Sequence, residues 1–253
     1  MKFSANLGFL WAELPLPDAI RAAHAAGFDA VECHWPYAIP ATDVKAALDE
    51  TGLTMLGLNT DRGDVGAGDN GLCAIAGRED AARASIDQAI AYARVLGTPN
   101  IHVMAGFASG AAAHEVFVQN LRYACTQAAV LGMTILIEPL NRFDAPGYFL
   151  GTTDQALAVI ADVGCANLKL MFDCYHVQQM EGNLCHKIKA LAPSIGHIQF
   201  AAVPGRGAPD VGEIDYGFVF RTIRDLGYEE PLGAEYKPAG ATEPTLGWMR
   251  KYG

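Results

Sequence analysis

The chain has few basic residues and no long apolar run. Its 18 Lys and Arg residues stand against 28 Asp and Glu residues, giving a formal net charge of −10 at pH 7. A protein that binds nucleic acid regardless of sequence needs clustered basic residues, so this composition argues against that class. No run reaches the ~18 apolar residues of a membrane-spanning helix. We therefore expect neither a nucleic acid nor a membrane as a partner.

Paired cysteines and targeting signals are also lacking. The six cysteines form no CxxC pair and no compact framework, which is typical of reduced thiols in a cytoplasmic protein. The first residues, MKFSANLGFL, contain neither the apolar segment nor the small-residue cleavage site of a secretory signal. We expect a cytoplasmic protein. The oligomeric state stays open, and a homo-oligomer is compatible with the sequence.

What the chain does have is a repeated unit of one strand and one helix. The runs typical of strands are 3–9, 30–35, 54–60, 100–106, 134–140, 168–176, 196–202 and 231–238. The helical patterns are 15–26, 41–51, 79–96, 112–131, 152–163, 183–191, 215–226 and 242–251. The strands are apolar almost throughout, as in a parallel sheet that is buried on both faces. With 253 residues, the chain is predicted to be α/β, a single (β/α)8 TIM barrel domain over 1–253.

Each of the last four apolar runs carries one polar residue near its carboxyl end. These residues are Glu138, Asp173, Gln199 and Glu235. Parallel strands of a barrel end at the same mouth, so the four side chains are expected to converge there. Unpaired buried carboxylates are unfavourable, and packing alone is a poor explanation for them. Because oxygen ligands suit Mg²⁺ or Mn²⁺, we predict one divalent metal ion at these four residues.

Glu138 and Glu235 come from strands that lie three apart around the predicted ring. They can therefore face each other across a ligand, as a reaction that moves a proton between neighbouring carbons requires. A metal ion would polarise the carbonyl and stabilise the enediolate. We predict that these two glutamates are the catalytic acid and base. The alternative is a set of structural ion pairs at the barrel rim.

Four further residues are candidates for binding the substrate. His176 lies three residues after Asp173, and His102 belongs to the fourth strand. Lys237 follows Glu235 by two positions and would share its face on an extended strand. Arg206 lies in the long segment 201–213, which, like the Gly- and Asp-rich segment 61–77, follows a strand and is expected to bind or cover a ligand. These cations would suit a carboxylate substrate better than a neutral sugar.

Several segments of the chain resemble the hydroxypyruvate isomerase family of xylose-isomerase-like barrels. They are GFDAVE (27–32), GDVGAGDNGLCAIAGRE (63–79), IHVMAG (101–106), EGNL (181–184), GHIQFAAVPGRGAPDVGEIDY (196–216) and EYKP (235–238). The resemblance implies a metal ion on the same four residues and an acid/base role for the same two glutamates. It also implies that a small hydroxy-oxo acid, hydroxypyruvate, is converted to tartronate semialdehyde (2-hydroxy-3-oxopropanoate).

Three alternatives stay open. Similar proteins isomerise 2-oxo-tetronates, which are one carbon longer. Ketose 3-epimerases resemble the chain at EPLNRF (138–143), but they normally have His where this chain has Gln199. A barrel that only binds a sugar acid would be a different class of protein, and the presence of both glutamates argues against it.

Overall fold

One parallel sheet forms the centre of the computed structural model, which describes residues 1–253. Its strands are β1 Phe3–Asn6, β2 Ala30–Glu32, β3 Thr54–Met55, β4 Gly57–Asn59, β5 Asn100–His102, β6 Thr134–Ile137, β7 Leu168–Asp173, β8 Ile195–Phe200 and β9 Leu232–Ala234. They follow one another in the order β3-β2-β1-β9-β8-β7-β6-β5-β4. Every pair is parallel, as the apolar runs predicted.

The two edges of this sheet meet because β3 and β4 are two parts of one strand, interrupted at Leu56. β3 pairs with β2, and β4 pairs with β5. Beyond the interruption, the amide of Cys33 donates to the carbonyl of Gly57 at 3.1 Å, and the amide of Asn59 donates to the carbonyl of His34 at 2.8 Å. These bonds bring the sheet round into a barrel with helices outside it. The predicted (β/α)8 TIM barrel is confirmed.

The outer layer is helical. Its helices are α1 Leu16–Ala25, α2 Ala41–Thr51, α3 Glu79–Leu96, α4 Gly110–Ala129, α5 Thr153–Val163, α6 Cys174–Met180, α7 Leu184–Leu191, α8 Tyr216–Asp225 and α9 Met249–Tyr252. In α3 the buried residues recur at helical spacing, as in Ala82, Ile86 and Ala89, so one stripe faces the sheet. The helix ends at Gly97, whose φ of 74° is left-handed and suits glycine. No helix is long and apolar enough to span a bilayer.

Two sequence predictions of secondary structure were wrong. The run 168–176 was expected to stay extended, but α6 begins directly after β7 because the Asp173 side chain accepts a hydrogen bond from the amide of Tyr175 at 2.8 Å. The helix expected over 242–251 is a 3-10 segment, Glu243–Trp248, followed by the short α9. Pro244 lies in the first turn of that segment, and proline and Gly247 both disfavour a continuous α-helix.

One apolar cluster of 66 buried residues joins the sheet to the helices. Trp248 anchors the last segment of the chain to it, with its ring centroid 4.9 Å from that of Phe3 and 5.4 Å from that of Phe200, both in edge-to-face contact. Aromatic pairs prefer this geometry. The core thus fixes the barrel strands, and with them the side chains at their carboxyl ends.

Candidate active site

The four polar residues of the last strands lie side by side around one end of the barrel. Glu138 directly follows β6, Asp173 ends β7, Gln199 is the penultimate residue of β8, and Glu235 directly follows β9. Asp173 and Gln199 are register partners across β7 and β8. All four are buried, with at most 6% of each residue exposed. The sequence placed these residues at the correct end of neighbouring strands.

Three of the four present an oxygen atom that is buried and has no hydrogen-bond partner. These atoms are Glu138 Oε1, Asp173 Oδ2 and Gln199 Oε1. Glu138 and Asp173 also form, with His176, a group whose possible ligand atoms lie within 4.8 Å of one another. A buried polar atom without a partner is unfavourable. Oxygen donors of this kind fit a hard divalent cation such as Mg²⁺ or Mn²⁺.

Glu32 determines which atom of the Gln199 amide is free. Its Oε1 accepts hydrogen bonds from Gln199 Nε2 at 2.9 Å and from Asn6 Nδ2 at 3.1 Å, and its Oε2 accepts one from His197 Nε2 at 2.6 Å. Since the Gln199 nitrogen is bound to Glu32, the amide oxygen is left for another ligand. Glu32 thus supports the site by accepting three hydrogen bonds from residues at this end of the barrel.

Glu235 differs from the other three because both of its oxygens have partners. Oε1 accepts from His34 Nε2 and from Asn6 Nδ2, each at 2.9 Å. Oε2 accepts from Arg206 Nη2 at 2.5 Å. Burial alone raises the pKa of Glu235, but the Arg206 guanidinium and the His34 hydrogen bond outweigh it and lower that pKa to about 2. In the structure Glu235 is therefore ionised.

Glu138 and Asp173 have pKa values shifted in the opposite direction. Burial raises the pKa of Glu138 well above its usual range, and the charges of Glu235 and Asp173 raise it further. Burial also raises the pKa of Asp173 to about 7, although Arg206 opposes that shift. Two carboxylates with divergent pKa values in one cavity are typical of an acid/base pair. Glu138 and Glu235 show this divergence, because the pKa of Glu138 is raised and that of Glu235 is lowered.

Two histidines flank Glu138. His176 Nδ1 accepts a hydrogen bond from the amide of Asn141 at 3.0 Å, so the proton of the neutral ring belongs on Nε2, 3.8 Å from Glu138 Oε1. His102 Nδ1 lies 3.6 Å from Glu138 Oε2, while its Nε2 is buried without a partner. Burial lowers the pKa of His102 to about 4 and that of His176 to about 3. Both rings are therefore neutral at pH 7.

The two predicted cations are placed differently. Arg206 lies in the cavity, where its guanidinium contacts Glu235 and is 3.5 Å from Asp173 Oδ2. Lys237 is exposed and does not line the cavity; its Nζ lies 5.8 Å from the ring centroid of Phe9. β9 ends at Ala234, so the alternation that was expected to place Lys237 beside Glu235 does not extend that far.

Glu138, Glu235 and Arg206 line a cavity of about 170 Å³, together with His34, His102 and His176. Phe9, Trp35 and Leu140 provide apolar wall, and Asn70 reaches the cavity from the long segment 61–77. That segment is also tied to the wall by Arg62, whose guanidinium carbon lies 3.7 Å above the Trp35 ring. Both long segments thus contribute to the cavity, as the sequence indicated. Its size suits a small molecule with few carbon atoms.

Sequence reasoning missed His34 and Asn6, the two residues that hold Glu235 Oε1. A signal was present for His34, which lies two residues past the end of β2 in the run AVECHW (30–35). It therefore lies at the same end of the barrel as the acidic residues. Asn6 gave no comparable signal, because a single asparagine at a strand end is also common in turns.

Comparisons with known proteins place the chain in a family. A sequence model of the xylose isomerase-like TIM barrel matches residues 20–252, and the chain belongs to this family. It is 44% identical to the 2-oxo-tetronate isomerase of Cupriavidus necator, over 99% of this chain and 98% of that protein. It is 41% identical to the hydroxypyruvate isomerase of Escherichia coli, over 100% of this chain and 99% of that protein.

The fold is also shared with a solved structure. A crystal structure from Brucella melitensis, named AP endonuclease, family 2, superposes with a TM-score of 0.96 at 37% identity, over 99% of this chain and 98% of that one. The two full-length isomerase relatives confirm the predicted resemblance and the prediction that the protein is an isomerase.

Proposed function

We propose that this protein is a metal-dependent isomerase that shifts the carbonyl group of a short hydroxy-oxo acid, with hydroxypyruvate as substrate and tartronate semialdehyde as product. The observation that carries the proposal is the set of three buried oxygens without a hydrogen-bond partner, on Glu138, Asp173 and Gln199, next to the ionised Glu235. Packing does not explain such a cluster, whereas one Mg²⁺ or Mn²⁺ ion held by the four residues would satisfy it.

The reaction moves two protons without net oxidation. The carbon that carries the hydroxyl group loses a proton, and the neighbouring carbonyl carbon gains one. The hydroxyl oxygen gives up its proton while the former carbonyl oxygen takes one, so atoms and electrons balance. When bound, the metal ion would polarise the carbonyl group and stabilise negative charge on the substrate oxygens.

Glu138 and Glu235 are the groups that move the carbon-bound protons. Each has a carboxylate at the cavity, and they approach it from strands on opposite sides of Asp173 and Gln199. One glutamate removes the proton and the other delivers a proton to the adjacent carbon. Because an isomerase catalyses its reaction in both directions, the two side chains exchange these roles when the direction is reversed.

His176 and His102 are proposed to bind the substrate oxygens. Asn141 fixes the His176 tautomer so that its Nε2 donates, and this nitrogen is directed at the carboxylate cluster. His102 Nε2 faces no protein partner. Neutral imidazoles at these positions can bind the hydroxyl and carbonyl oxygens while protons are rearranged. Arg206 is the cation inside the cavity that can pair with the substrate carboxylate.

A second candidate substrate is 2-oxo-tetronate. It is favoured by the relative from Cupriavidus necator, which bears that name and is 44% identical to this chain. The chemistry is the same carbonyl shift on an acid with one more carbon. A nucleic-acid substrate is not favoured, because the formal net charge is −10 and carboxylates surround the cavity.

The test is to incubate the Mn²⁺- or Mg²⁺-loaded protein with hydroxypyruvate, 2-oxo-tetronate or a ketohexose and to follow the products by NMR in D₂O. We expect conversion of one of the two acids, the appearance of solvent deuterium on the newly protonated carbon, and loss of activity after chelation. Conversion of the ketohexose alone would contradict the assignment to hydroxy-oxo acids. Full activity after complete removal of metal would contradict the metal-dependent mechanism.

A further inference from the structure

Arg206 occupies the position at which a cation is needed by the carboxylate cluster. Its Nη2 lies 2.5 Å from Glu235 Oε2 and 3.5 Å from Asp173 Oδ2, and its Nη1 lies 3.9 Å from Asp144 Oδ2. Only 12% of its side chain is exposed. Two of the proposed metal ligands are therefore already paired with a positive charge that the chain itself supplies.

The partners of Glu235 show why this pairing must change when a metal ion binds. Oε1 is held by two donors, His34 and Asn6, whereas Oε2 is held by Arg206 alone. Oε2 is the oxygen that can be released by moving a single side chain. A divalent ion at the same oxygens would repel the guanidinium, since two like charges a few ångströms apart in a buried site interact strongly.

We propose that Arg206 and the divalent metal ion compete for Glu235 and Asp173, and that the displaced guanidinium then binds the carboxylate of the substrate. This inference rests on the proposed function, because it takes the metal site from there. It adds the order in which the metal ion and the substrate bind. The metal ion enters first and frees the arginine, and the acid then binds to a cation that was engaged before.

The surroundings of Arg206 allow its side chain to move while its backbone stays in place. The guanidinium carbon lies 4.8 Å from the ring centroids of both Phe9 and Tyr175. An aromatic ring attracts the flat face of a guanidinium, and the N–H groups at the guanidinium edge stay free to bind a carboxylate. The two rings can therefore hold Arg206 both when it pairs with Glu235 and when it pairs with a substrate carboxylate. Arg206 Nε is buried without a partner. The Arg206 carbonyl is fixed, since it accepts a hydrogen bond from the amide of Lys237 at 2.7 Å.

Replacement of Arg206 by methionine tests this exchange, because the competition predicts two effects of opposite sign. Mn²⁺ binding, measured by calorimetry and by the EPR signal of free Mn²⁺, is expected to become at least about tenfold tighter in Arg206→Met. Binding of glycerate, an unreactive acid of three carbons, to the Mn²⁺-loaded variant is expected to become at least about tenfold weaker. An arginine that only supports the fold would weaken both.

Two further variants separate the possible outcomes. Arg206→Lys keeps the charge and is expected to bind Mn²⁺ about as the natural protein does. Arg142→Met removes another arginine that lies over an aromatic ring but contacts none of the carboxylates, and it is expected to change neither affinity. If the natural protein binds Mn²⁺ and Arg206→Met binds it equally or more weakly, the exchange is wrong and the metal site stands. If neither binds Mn²⁺, the metal site of the proposed function is wrong, and the exchange fails with it.

Discussion

The four acidic and amide side chains of the site were predictable from sequence because each follows an apolar strand. Their individual states were not, because those states depend on residues distant in the chain. Glu235 is held by Asn6, which is 229 positions away, and by His34, which is 201 positions away. Such contacts determine which oxygen is free and which carboxylate is ionised. A sequence pattern places a residue at a strand end but does not report its hydrogen bonds.

The two glutamates give the prediction that belongs to single residues. Glu138→Gln and Glu235→Gln each keep an oxygen ligand but lose the group that accepts a proton. Isomerisation is expected to fall by at least the ~10²–10⁴-fold attributed to general acid/base catalysis. The measurement is the initial rate of isomerisation at saturating Mn²⁺ together with deuterium incorporation from D₂O. If both variants stayed active and transferred the substrate's own hydrogen internally, a hydride shift would replace the two-base mechanism.

At the scale of strands and helices, the sequence predicted the bounds of an element correctly where the spacing of apolar residues alone determines them. The expected helices 41–51 and 79–96 coincide with α2 and α3, whose apolar faces recur at 3–4-residue spacing. The prediction was wrong where a single side chain changes the backbone conformation, as at Asp173, which caps α6 and ends the extended run there. Strands were predicted too long, because the apolar residues continue past the last ladder hydrogen bond. The displacement of Lys237 from the cavity follows from that error at β9.

Strand β9 also carries a glycine that the hydrogen bonds of the site require. A Cβ atom on Gly233 would lie 2.5 Å from Glu32 Oε1 and 2.8 Å from Gln199 Cγ. Gly233→Ala is therefore expected to destabilise the protein by about 1–3 kcal/mol, as overpacking does. It should also weaken Mn²⁺ binding, since Glu32 no longer holds the Gln199 amide. Supporting hydrogen bonds of this kind are worth about 10–100-fold in metal affinity.

The measurements are chemical denaturation and Mn²⁺ calorimetry, with Gly247→Ala as the matched control, because a Cβ atom there meets nothing within 4 Å. The control is expected to be close to the natural protein in both. Equal behaviour of the two variants would show that Glu32 and Gln199 adjust freely and that the close approach at β9 has no role in the site.

At the scale of the whole molecule, the barrel forms because most strand residues are buried and the sheet edges meet at β3 and β4. Size and the strand–helix repeat predicted this architecture. The same closure places several acidic side chains at one mouth with little water around them. The apolar core must therefore stabilise the barrel against the repulsion of its own active-site carboxylates, and that balance depends on pH.

Asp173 makes this balance measurable in the metal-free protein. Burial raises its pKa from 3.8 to about 7, so between these values the folded protein keeps a proton that the unfolded chain releases. The stabilisation from that proton is complete below about pH 4 and is lost as the pH rises through about 7.

Asp173→Asn cannot titrate and can still accept the hydrogen bond from the Tyr175 amide. The difference between its melting temperature and that of the natural protein, both in EDTA, is therefore expected to increase from pH 4.5 to pH 8. The increase should be on the order of 10 °C, because this pKa change corresponds to about 3 kcal/mol between the two pH values and roughly 2–4 °C corresponds to 1 kcal/mol for a chain of this size. Gln127→Asn, at an exposed side chain of α4 that has no titratable group, serves as the control, and its difference should stay nearly constant. A constant difference for Asp173→Asn as well would show that Asp173 is ionised in the folded protein throughout this range and that Arg206 outweighs its burial.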